Sequence, residues 1–588
     1  MMNNRETVRA GLQDAGTALR EKLLRRDRIS GSEILLRALL LEGVECVFGY
    51  PGGAVLYIYD AMCGNPDFKH ILTRHEQGAI HAADGYARST GRTGVCLATS
   101  GPGATNLVTG IATAYMDSVP LVVITGNVAT SLIGTDSFQE ADIVGITQPI
   151  TKHSYFVRRV EDLARILREA FYIAATGRKG PVLVDIPKDV SADLTEFVYP
   201  ESVRVPGYEP HPAAAPEAVR QLLDGLLTAR RPLLLAGGGV IASDAGGELQ
   251  ALAERLALPV TTTLLGLGAF PSGHPLWLGM PGMHGAYAAN RALIECDFLL
   301  SVGARFDDRV TMRLDGFAPN ARIAHIDIDA AEVGKLVDTA IPIVADAKEA
   351  LGQLLELADR GERRPPKREW NERLAALKES QPLRYRDSEV SLKPQYVIEM
   401  LSETTQGEAI VTTDVGQHQM WAAQFYRFTR PRSLITSGGL GTMGFGLPSA
   451  IGAQVGHPDR LVISVNGDGG MQMCAQELAV CSIHRIPVKI VIINNQTLGM
   501  IKQWQEIAYD GRYSHIDLSG SPDFVKLAEA YGIAAWRASS KTEAVAAWEK
   551  AVRHTGPALI DFVVSKDELV LPMVPQGMPL SEMITGGD

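Results

Sequence analysis

The sequence predicts an α/β protein made of three doubly wound parallel-sheet domains. Short apolar segments of strand length alternate with helix-like patterns along almost all of the 588 residues, which is typical of parallel sheets covered by helices. A chain of this length exceeds what one hydrophobic core supports and predicts several domains of about 150 residues each. Two stretches rich in proline or in charge divide the pattern into three blocks.

The three blocks are predicted at 29–195, 217–358 and 394–567, with a linker at 196–216 and a charged, partly helical linker at 359–393. Residues 1–28 are predicted to form an N-terminal extension. Residues 568–588 are rich in Pro, Gly and Met and are predicted to form a mobile tail or lid. Apolar runs predict strands at 44–48, 120–126, 181–187, 232–236, 298–302, 322–328, 409–413, 461–465, 488–493 and 559–564.

Composition narrows the class of protein. The formal net charge of −11 argues against a nucleic-acid partner, which usually needs a basic surface. The six cysteines show no CxxC spacing and no Cys/His cluster, so we interpret them as buried free thiols in a reducing compartment. No apolar run approaches the ~20 residues of a membrane helix. The first 28 residues lack a hydrophobic signal core, which favours a cytoplasmic protein.

A carboxylate, Glu76, stands at the start of a predicted helix. Small apolar residues recur behind it at helical spacing and mark the buried face. The carboxyl group therefore points towards an apolar setting, where it can share a proton with a ligand. From this segment alone, a helix-start carboxylate stabilised by the helix dipole is the better interpretation.

The segment 466–495 contains a stronger candidate. A strand ends at Gly467-Asp468-Gly469, a helix is predicted from Met471 to about residue 484, and a second strand ends at Asn495. The carboxyl ends of parallel strands meet at one sheet edge, where α/β folds bind ligands. Oxygen ligands of this kind suit Mg²⁺, which shares its remaining positions with phosphate. Two ordinary turns that use Asp and Asn locally are the competing interpretation.

Other loops carry weaker signals. The segment 439–444 satisfies GxGxxG, but no acidic residue ends a following strand about 20 residues later, so we reject a dinucleotide site there. The segment 100–104 either brings backbone amides to a ligand or forms a tight turn. In the second block, 303–309 and 326–329 place Arg and Asp residues after strands. They suit a ribose or a diphosphate. A solvated cluster of charges is an equally good interpretation.

These segments together resemble a known family. YPGG at 50–53, HEQG at 75–78, ADGYAR at 83–88, TSGPG at 99–103, GDG at 467–469 and NN at 494–495 are similar to motifs of the thiamine-diphosphate-dependent 2-oxo acid enzymes. Within that family, five further segments look like the catalytic subunits of acetolactate (acetohydroxyacid) synthases. They are DSFQE at 136–140, GMHG at 282–285, GARFDDR at 303–309, GQHQMW at 416–421 and GMIKQWQ at 499–505. The match spans about residues 30 to 570.

The resemblance implies a pyrimidine-binding first domain, a central flavin-binding domain and a diphosphate-binding third domain. Glu76 would hydrogen-bond the aminopyrimidine of thiamine diphosphate, and Met443 would hold the bent cofactor. Asp468, Asn495 and the carbonyl of Thr497 would bind Mg²⁺ against the diphosphate. The remaining residues implied for thiamine diphosphate are Pro51, Gly52, Gln417, His418, Gly441, Gly467, Gly469 and Gly470.

The resemblance also implies a flavin and a substrate pocket. Residues implied for FAD are Gly238, Gly239, His284, Arg305, Asp307, Asp327 and Asp346. Residues implied for the pocket, beside the catalytic Glu76, are Gly53, Phe138, Gln139, Lys152, Met500 and Trp504. The implied reaction decarboxylates pyruvate and transfers the hydroxyethyl unit to a second 2-oxo acid, pyruvate or 2-oxobutyrate. This reaction is the first common step of valine, leucine and isoleucine biosynthesis.

The family also implies an assembly and leaves rival activities. A homodimer or homotetramer is implied, with Glu76 of one subunit meeting the diphosphate held by another, together with a small regulatory subunit. A related decarboxylase or oxidase, or a non-catalytic regulatory homologue, is the alternative. Two residues depart from the family pattern: Asn127 stands where Gln is usual, and Met312 where glycine is common. We expect the first to affect a cofactor-side contact.

Overall fold

A computed structural model describes residues 20–360 and 367–586 of the chain. It forms two compact units. The first contains the described residues up to Ala87 and Arg92–Tyr208, and the second contains Arg88–Gly91 and the described residues from Glu209 onward. The second and third predicted blocks therefore share one unit. Most of the predicted N-terminal extension, the Pro365-Pro366 part of the second linker and the last two residues of the tail lie outside the described residues.

Three all-parallel sheets confirm the predicted fold class. The first unit contains a six-stranded sheet in the order β3-β2-β4-β5-β7-β6 and a small antiparallel pair, β1 with β8. These strands are β1 Arg28–Ser30, β2 Val47–Gly49, β3 His70–Leu72, β4 Gly94–Ala98, β5 Leu121–Asn127, β6 His153–Phe156, β7 Pro181–Pro187 and β8 Leu194–Glu196. Its helices are α1 Gly31–Leu41, α2 Leu56–Met62, α3 Glu76–Thr90 (which ends in the other unit), α4 Pro102–Thr105, α5 Val108–Met116, α6 Ile143–Thr147, α7 Val160–Ala175 and α8 Lys188–Ala192.

The second unit contains a middle sheet and a C-terminal sheet. The middle sheet has the order β10-β9-β11-β12-β13. Its strands are β9 Pro232–Ala236, β10 Val260–Thr262, β11 Phe298–Val302, β12 Arg322–Asp327 and β13 Ile341–Val344. The helices of this part are α9 Pro216–Thr228, α10 Gly238–Ala242, α11 Gly246–Leu256, α12 Tyr287–Glu295, α13 Asp308–Thr311, α14 Ala347–Arg360 and α15 Arg368–Ser380.

The C-terminal sheet has the order β15-β14-β16-β17-β19-β18. Its strands are β14 Ile410–Thr413, β15 Leu434–Ile435, β16 Val462–Gly467, β17 Lys489–Asn494, β18 Ala534–Ala538 and β19 Ala558–Val563. Its helices are α16 Pro394–Thr405, α17 Gln417–Phe425, α18 Gly446–Gly456, α19 Asp468–Cys474, α20 Leu478–Ile483, α21 Gly499–Ala508, α22 Phe524–Ala530 and α23 Lys541–Arg553. No helix among the described residues is long and apolar enough to cross a membrane.

Apolar alternation builds the core around the middle sheet. Along β9, Leu234 and Ala236 enter one hydrophobic cluster, whereas Leu233 and Leu235 enter the cluster on the opposite face. Successive side chains of a strand point to opposite faces, so both faces of this sheet are covered. Apolar side chains of the other two large sheets are buried in the same way.

Two local predictions are corrected by the structure. The helix expected from Met471 begins at Asp468 and is interrupted by a 3₁₀ turn at Ala475–Glu477. Within the predicted mobile tail or lid at 568–588, Val570, Met573 and Val574 are completely buried. These residues are therefore part of the hydrophobic core of the second unit, whereas Met578 and Ile584 are exposed.

The charged segment after α14 also contributes to the core. Its helix α15 buries Trp370 and Leu374 in the cluster on one face of the middle sheet. The Trp370 indole donates a hydrogen bond to the carbonyl of Pro232, the first residue of β9, at 3.0 Å. This segment extends the middle-sheet layer beyond the predicted boundary at residue 358.

Candidate functional site

In the first unit, Glu76 lies where the sequence predicts it, at the first position of α3. The side chain is half-buried, and its Oε2 accepts a hydrogen bond from Asn106 Nδ2 at 2.9 Å. Behind it, Ala79, Ile80 and Ala83 are fully buried. The carboxylate is held at the carboxyl edge of the sheet with one oxygen oriented by an amide donor.

Two glycine-containing loops meet beside Glu76. A Cβ on Gly52 would lie 2.4 Å from the Thr99 side chain, and a Cβ on Gly103 would lie 2.7 Å from the same side chain and 3.3 Å from Glu76 Oε1. Thr99 Oγ1 accepts a hydrogen bond from the N–H of Ala54. The predicted residues Pro51, Gly52 and Gly53 therefore belong to the same edge as Glu76.

The loop that carries Phe138 and Gln139 reaches this edge as well. Gly101 has φ +58°, and a Cβ there would lie 2.9 Å from Gln139 Cβ, so only glycine allows this approach. Gln139 itself has φ +61°. Phe138 is 87% exposed, and an aromatic ring in that state is available to a ligand.

The structure contradicts the predicted pocket role of Lys152. Its backbone N–H donates to the carbonyl of Pro181, the first residue of β7, so Lys152 lies at the amino edge of the parallel sheet. Its ammonium group donates to the carbonyls of Ile173 and Thr176 at the end of α7 and to the hydroxyl of Tyr208. A cation at a helix C-terminus stabilises that helix. Lys152 therefore has a structural role, at the edge opposite to Glu76.

Asn127 is part of a buried group that sequence reasoning missed. Asp185 accepts hydrogen bonds of 2.6 Å from both Thr125 Oγ1 and Asn127 Nδ2. Burial raises the pKa of Asp185 to about 6, and the two donors oppose that shift. The Asn127 oxygen also accepts from the N–H of Val128. The shorter side chain at this position is therefore engaged within its own sheet edge, and strand pairing alone gives no signal for such a cluster.

In the second unit, Asp468 lies at the end of β16 and begins α19. Only 2% of the residue is exposed, and Oδ2 is buried without a hydrogen-bond partner. Burial raises the pKa of this carboxyl to about 7, although backbone N–H groups of Gly469, Asp468 and Gln496 oppose the shift. A desolvated, partly unsatisfied carboxylate oxygen is costly unless a cation binds it.

Asn495 lies at the end of the neighbouring strand, β17, as predicted. Its Oδ1 accepts from the N–H of Thr497 at 3.2 Å, and its Nδ2 donates to Gln417 Oε1 at 3.3 Å. Thr497 is buried and is held by its hydroxyl, which donates to the carbonyl of Ile516. Because β16 and β17 are directly paired, Asp468, Asn495 and Thr497 lie along one edge of the sheet.

The start of α17 adds a neutral histidine to this edge. His418 Nε2 is buried without a hydrogen-bond partner, and burial lowers the pKa of the ring to about 4. A Cβ on Gly467 would lie 2.9 Å from the His418 ring, and Gly416, which precedes the helix, has φ +149°. The two glycines leave the space that the imidazole occupies.

The loop of Gly441 and Met443 is fixed by an aspartate that the sequence did not single out. Asp414 is completely buried and accepts hydrogen bonds from the N–H groups of Gly444 and Gly446. Burial raises its pKa to about 6, and these backbone donors oppose the shift. The half-buried Met443 lies within 3.7 Å of the position of a Cβ on Gly469.

The loop of Gly441 and Met443 can approach Asp468 because residue 470 is a glycine. A Cβ on Gly470 would lie 2.3 Å from Asp414 Oδ1, so a larger residue is excluded. The two loops after β14 and β16 therefore approach through Asp414 and Gly470. The signal that could have identified Asp414 is its position at the end of a predicted strand next to the strand of Asp468.

The helix α21 carries the remaining predicted pocket residues. Met500 and Trp504 are both partly buried, and each packs on a different hydrophobic cluster. The space for this helix depends on Gly499, because a Cβ there would lie 2.0 Å from Gln417 Oε1. The helix is thereby placed directly against the Asn495–Gln417 pair.

The loops of the middle sheet bring the predicted flavin residues to one edge. Gly238 and Gly239 follow β9, and a Cβ on Gly239 would lie 2.6 Å from the Cα of Gly303, which follows β11. His284 is buried with Nδ1 unpartnered, and burial lowers its pKa to about 4. Arg305 lies close enough to Asp307 to lower the pKa of that carboxyl, although burial raises it overall.

Two of the three predicted flavin carboxylates serve neighbouring helices. Asp307 Oδ1 accepts from the N–H groups of Arg309 and Val310 and caps α13. Asp346 Oδ1 accepts from the N–H groups of residues 348 and 349 in the first turn of α14. Asp327 Oδ1 accepts from the N–H of Asp329, and its Oδ2 lies 3.6 Å from His325 Nε2.

The donor sets fit the cofactors that the residues imply. At the C-terminal sheet, one unsatisfied carboxylate oxygen, one amide oxygen and main-chain carbonyls are the hard oxygen donors that Mg²⁺ accepts. The unpartnered His418 nitrogen and the glycine-rich loops suit a diphosphate. At the middle sheet, the close Gly239–Gly303 contact and the unpartnered His284 nitrogen suit a nucleotide.

The fold and these edges define the class of thiamine pyrophosphate enzymes. Models of that class match the chain three times: the N-terminal TPP binding domain at residues 29–146, the central domain at 219–354 and the C-terminal TPP binding domain at 414–562. The chain is 50% identical to the acetolactate synthase large subunit of Lactococcus lactis subsp. lactis, over 94% of this chain and 96% of that protein.

Two other relatives agree. The acetolactate synthase isozyme 3 large subunit of Escherichia coli is 47% identical over 95% of this chain and 98% of its own. The probable acetolactate synthase large subunit of Methanocaldococcus jannaschii is 50% identical over 95% of both chains. The chain belongs to the acetolactate synthase large-subunit family.

Proposed function

We propose that the chain is the catalytic subunit of an acetolactate synthase. It decarboxylates pyruvate and joins the resulting two-carbon unit to a second 2-oxo acid, pyruvate or 2-oxobutyrate. The observation that carries this proposal is the buried, unpartnered oxygen of Asp468 next to Asn495 at one sheet edge, in a chain of this family. The product then serves as the precursor of branched-chain amino acids.

Glu76 holds the proton that the reaction needs. When bound, thiamine diphosphate supplies the electron sink that makes loss of CO₂ from a 2-oxo acid possible. Glu76 shares a proton with the aminopyrimidine ring, and Asn106 keeps the carboxylate in place by donating to Oε2. Pro51 and Gly52 bring the backbone close to that ring because no side chain intervenes at Gly52. A diphosphate held by a partner subunit completes this half of the site.

The edge of the C-terminal sheet holds the metal and the diphosphate. Asp468, Asn495 and the carbonyl of Thr497 bind Mg²⁺, and backbone groups of Gly467, Gly469 and Gly470 approach the diphosphate. His418 and the backbone N–H of Gln417 contact the same group, because both N–H bonds of the Gln417 side chain are used by Gln503 and Glu568. The neutral state of His418 means that it donates a hydrogen bond and contributes no positive charge. Gly441 and Met443, held by Asp414, support the bent cofactor.

The residues proposed to contact the substrate are mostly small or apolar. They are Gly53, Phe138 and Gln139, and Met500 and Trp504 of α21. A large indole favours the acceptor with one more methylene, an effect of about 1 to 3 kcal/mol. We leave Lys152 out of this pocket because its ammonium group binds the carboxyl end of α7.

The middle sheet binds FAD. Gly238 and Gly239 allow the backbone to approach the dinucleotide, while His284 and Arg305 contact it. Asp327 contacts the ribose or the adenine of the FAD. Asp307 and Asp346 accept hydrogen bonds from N–H groups at the starts of helices. They are proposed as flavin residues only because a helix N-terminus can bind a diphosphate.

The assembly is a homodimer or homotetramer with a small regulatory subunit, located in the cytoplasm. The regulatory subunit is supported by the names of the relatives, which are "large subunit" in Lactococcus lactis and Escherichia coli.

One assay tests the reaction. Purified protein with thiamine diphosphate, Mg²⁺, FAD and pyruvate is expected to form acetolactate as the main product. Acetaldehyde or acetyl phosphate as the main product would contradict the proposal and would indicate a decarboxylase or an oxidase. Absence of any product with bound cofactor would indicate a regulatory homologue.

A pair of variants localises the proton-holding role. Glu76→Gln is expected to reduce turnover by at least about 100-fold, because general acid–base groups typically contribute that much. Glu33→Gln is the matched control: it also changes a carboxylate in the first turn of a helix, where Glu33 accepts a hydrogen bond from the N–H of the N-cap residue Ser30. We expect the control to retain turnover, and an equal loss in both variants would contradict the assignment.

A further inference from the structure

Three buried side-chain amides connect the metal edge with the C-terminal segment. Asn495 Nδ2 donates to Gln417 Oε1 at 3.3 Å, and Gln417 Nε2 donates to Gln503 Oε1 at 3.0 Å. Gln503 then bonds the backbone of Val570 in both directions. Its Oε1 accepts from the Val570 N–H at 2.9 Å, and its Nε2 donates to the Val570 carbonyl at 3.0 Å. We call this chain of three amides the amide relay.

The relay has a fixed polarity. A backbone N–H can only donate and a backbone carbonyl can only accept, so Val570 dictates which end of the Gln503 amide is oxygen. Gln503 Oε1 then requires Gln417 to present its NH₂ group, and the Glu568 carbonyl, which accepts from the same Gln417 Nε2 at 3.0 Å, imposes the same orientation. Gln417 Oε1 in turn requires Asn495 to present Nδ2. The oxygen of Asn495 is left on the other side of its amide, where the N–H of Thr497 also donates to it at 3.2 Å.

The polarity matters because a metal ion binds the amide oxygen and not the NH₂ group. A reversed Asn495 amide would present two N–H donors to a cation. We propose that Gln503 is a positioning residue for the metal site: it transmits the backbone polarity of the C-terminal segment through Gln417 and, together with the Thr497 N–H, orients the oxygen of Asn495 towards Mg²⁺. This inference rests on the proposed role of Asn495 as a metal ligand.

Burial gives the relay its strength. Gln503 is the only fully buried residue of α21, and Gln417 and Asn495 are 5% and 7% exposed. Gln503 uses both donors and both acceptor positions, since Nε2 also donates to Met573 Sδ at 3.1 Å. A buried amide whose bonds are all satisfied resists rotation, because any flip leaves several unpaired groups.

The surrounding chain protects the relay. A Cβ on Gly499 would lie 2.7 Å from Asn495 Nδ2 as well as 2.0 Å from Gln417 Oε1, so this helix start must be glycine. The segment that carries Val570 is anchored separately, because the carboxylate of Glu568 pairs with Lys393 and accepts from Gln395 Nε2. The backbone that sets the polarity is therefore fixed independently of the metal.

The test measures Mg²⁺ and not turnover. The concentration of Mg²⁺ that supports thiamine diphosphate binding to the full chain is determined by calorimetry. Gln503→Met keeps the side-chain volume and removes the amide, and we expect it to require about 10- to 100-fold more Mg²⁺, the usual effect of removing an outer-shell partner of a metal ligand. An unchanged Mg²⁺ requirement in this variant would overturn the proposal.

The matched control lies on the same helix. Gln505 bonds the backbone of Ser514 in both directions, as Gln503 bonds Val570, but the hydrogen bonds of Gln417 go to Gln503, Glu568 and Asn495 and not to Gln505. Gln505→Met is expected to keep the wild-type Mg²⁺ requirement. An equal increase in both variants would assign the effect to loss of helix anchoring and would overturn the relay.

Two further measurements keep the test decisive. Should Gln503→Met fail to fold, hydrogen exchange of the wild-type chain is expected to show stronger protection of the Val570 N–H when Mg²⁺ and thiamine diphosphate are bound, and no change would overturn the relay. Asp468→Asn separates the two levels of inference. If it removes the Mg²⁺ dependence while Gln503→Met does not alter it, only the relay fails. If the wild type binds thiamine diphosphate without Mg²⁺, the proposed metal site fails and the relay with it.

Discussion

The middle sheet and the C-terminal sheet place aspartates at the same topological position and use them differently. At the middle sheet, Asp307 and Asp346 each direct one carboxylate oxygen to the N–H groups of a following helix. At the C-terminal sheet, Asp468 also stands where a strand gives way to a helix, but its Oδ2 is buried without a partner. One set of carboxylates is satisfied by the chain, and the other leaves an oxygen for a ligand.

A carboxylate that binds a ligand and a carboxylate that caps a helix differ in their effect on the stability of the ligand-free protein. A capping aspartate stabilises the folded chain in the absence of ligand. A buried aspartate with an unsatisfied oxygen costs stability until a cation binds it. The two kinds of aspartate therefore respond in opposite directions when the charge is removed, and stability of the cofactor-free protein is the quantity that distinguishes them.

The largest expected effect is that of Asp468→Asn. Loss of a direct ligand should weaken Mg²⁺ binding by more than the about 10- to 100-fold seen for outer-shell partners, with a parallel loss of acetolactate formation. The melting temperature of the cofactor-free variant should equal or exceed that of the wild type, because burial already raises the pKa of Asp468 to about 7. A melting temperature several degrees lower would show that Asp468 is a capping residue like those of the middle sheet.

Both sheets contain a buried histidine whose pKa is lowered by burial. Burial lowers the pKa of His284 and of His418 to about 4, below the value of about 6.5 in an unfolded chain. Between these pH values the unfolded chain takes up a proton and the folded chain does not. The stability contributed by each ring is therefore present above pH 6.5 and is lost as the pH falls towards 4, by up to about 3 kcal/mol for the full shift.

A variant isolates this contribution. The difference in free energy of unfolding between wild type and His284→Gln, measured without cofactors, is expected to decrease as the pH falls from 6.5 to 4. Asp185 and Asp414 act in the opposite sense in this window because burial raises their pKa values to about 6, so the difference and not the absolute stability is the measure. The exposed His211 serves as the control site, and a constant difference for His284→Gln would contradict the prediction.

A smaller effect is expected at the capping aspartates. Asp346→Ala removes the acceptor of the N–H groups of Lys348 and Glu349 and should lower the stability of the flavin-free protein by about 1 kcal/mol. Asp346→Asn keeps an oxygen acceptor and should lose less. The measurement is urea denaturation. A variant that loses flavin affinity with unchanged stability would place Asp346 with Asp468 as a ligand residue.

Met312 gives the smallest predicted difference. It ends the helix that Asp307 caps and has φ +53° and ψ −132°, a sparsely populated conformation that costs residues with a Cβ about 1 to 3 kcal/mol. Its side chain is buried in the middle-sheet core, so both Met312→Ala and Met312→Gly lose packing. We expect the glycine variant to be more stable than the alanine variant by about 1 kcal/mol, the reverse of the order in a helix interior. The reverse result in urea denaturation would show that the backbone is relaxed.

Buried strands were the most predictable part of the fold. Pro181–Pro187, Pro232–Ala236 and Phe298–Val302 have the predicted bounds, because uninterrupted apolar runs between turn residues leave no alternative. Glu76, Asp468 and Asn495 could also be found, since each stands where a strand gives way to the next element. Strand 44–48 was less well predicted, and only Val47–Gly49 forms it.

The remaining features depend on contacts between distant parts of the chain. The segment containing Val570 and Met573 has the composition of a mobile tail, but it is buried in the core. Lys152 is a pocket residue that the resemblance implies, whereas its ammonium group donates to the end of α7 and to Tyr208. Neither composition nor spacing carries information about such pairings, because they are decided by tertiary packing.

The position of Val570 in the chain has a consequence for biosynthesis. Every strand of the C-terminal sheet, ending with Ala558–Val563, is made before the backbone that orients Gln503. On the ribosome, the sheet can form while the amide of Asn495 is still free to rotate. The metal edge is therefore expected to mature only after the segment around Val570 has left the exit tunnel, so a nascent chain that stops at the sheet has no functional cofactor site.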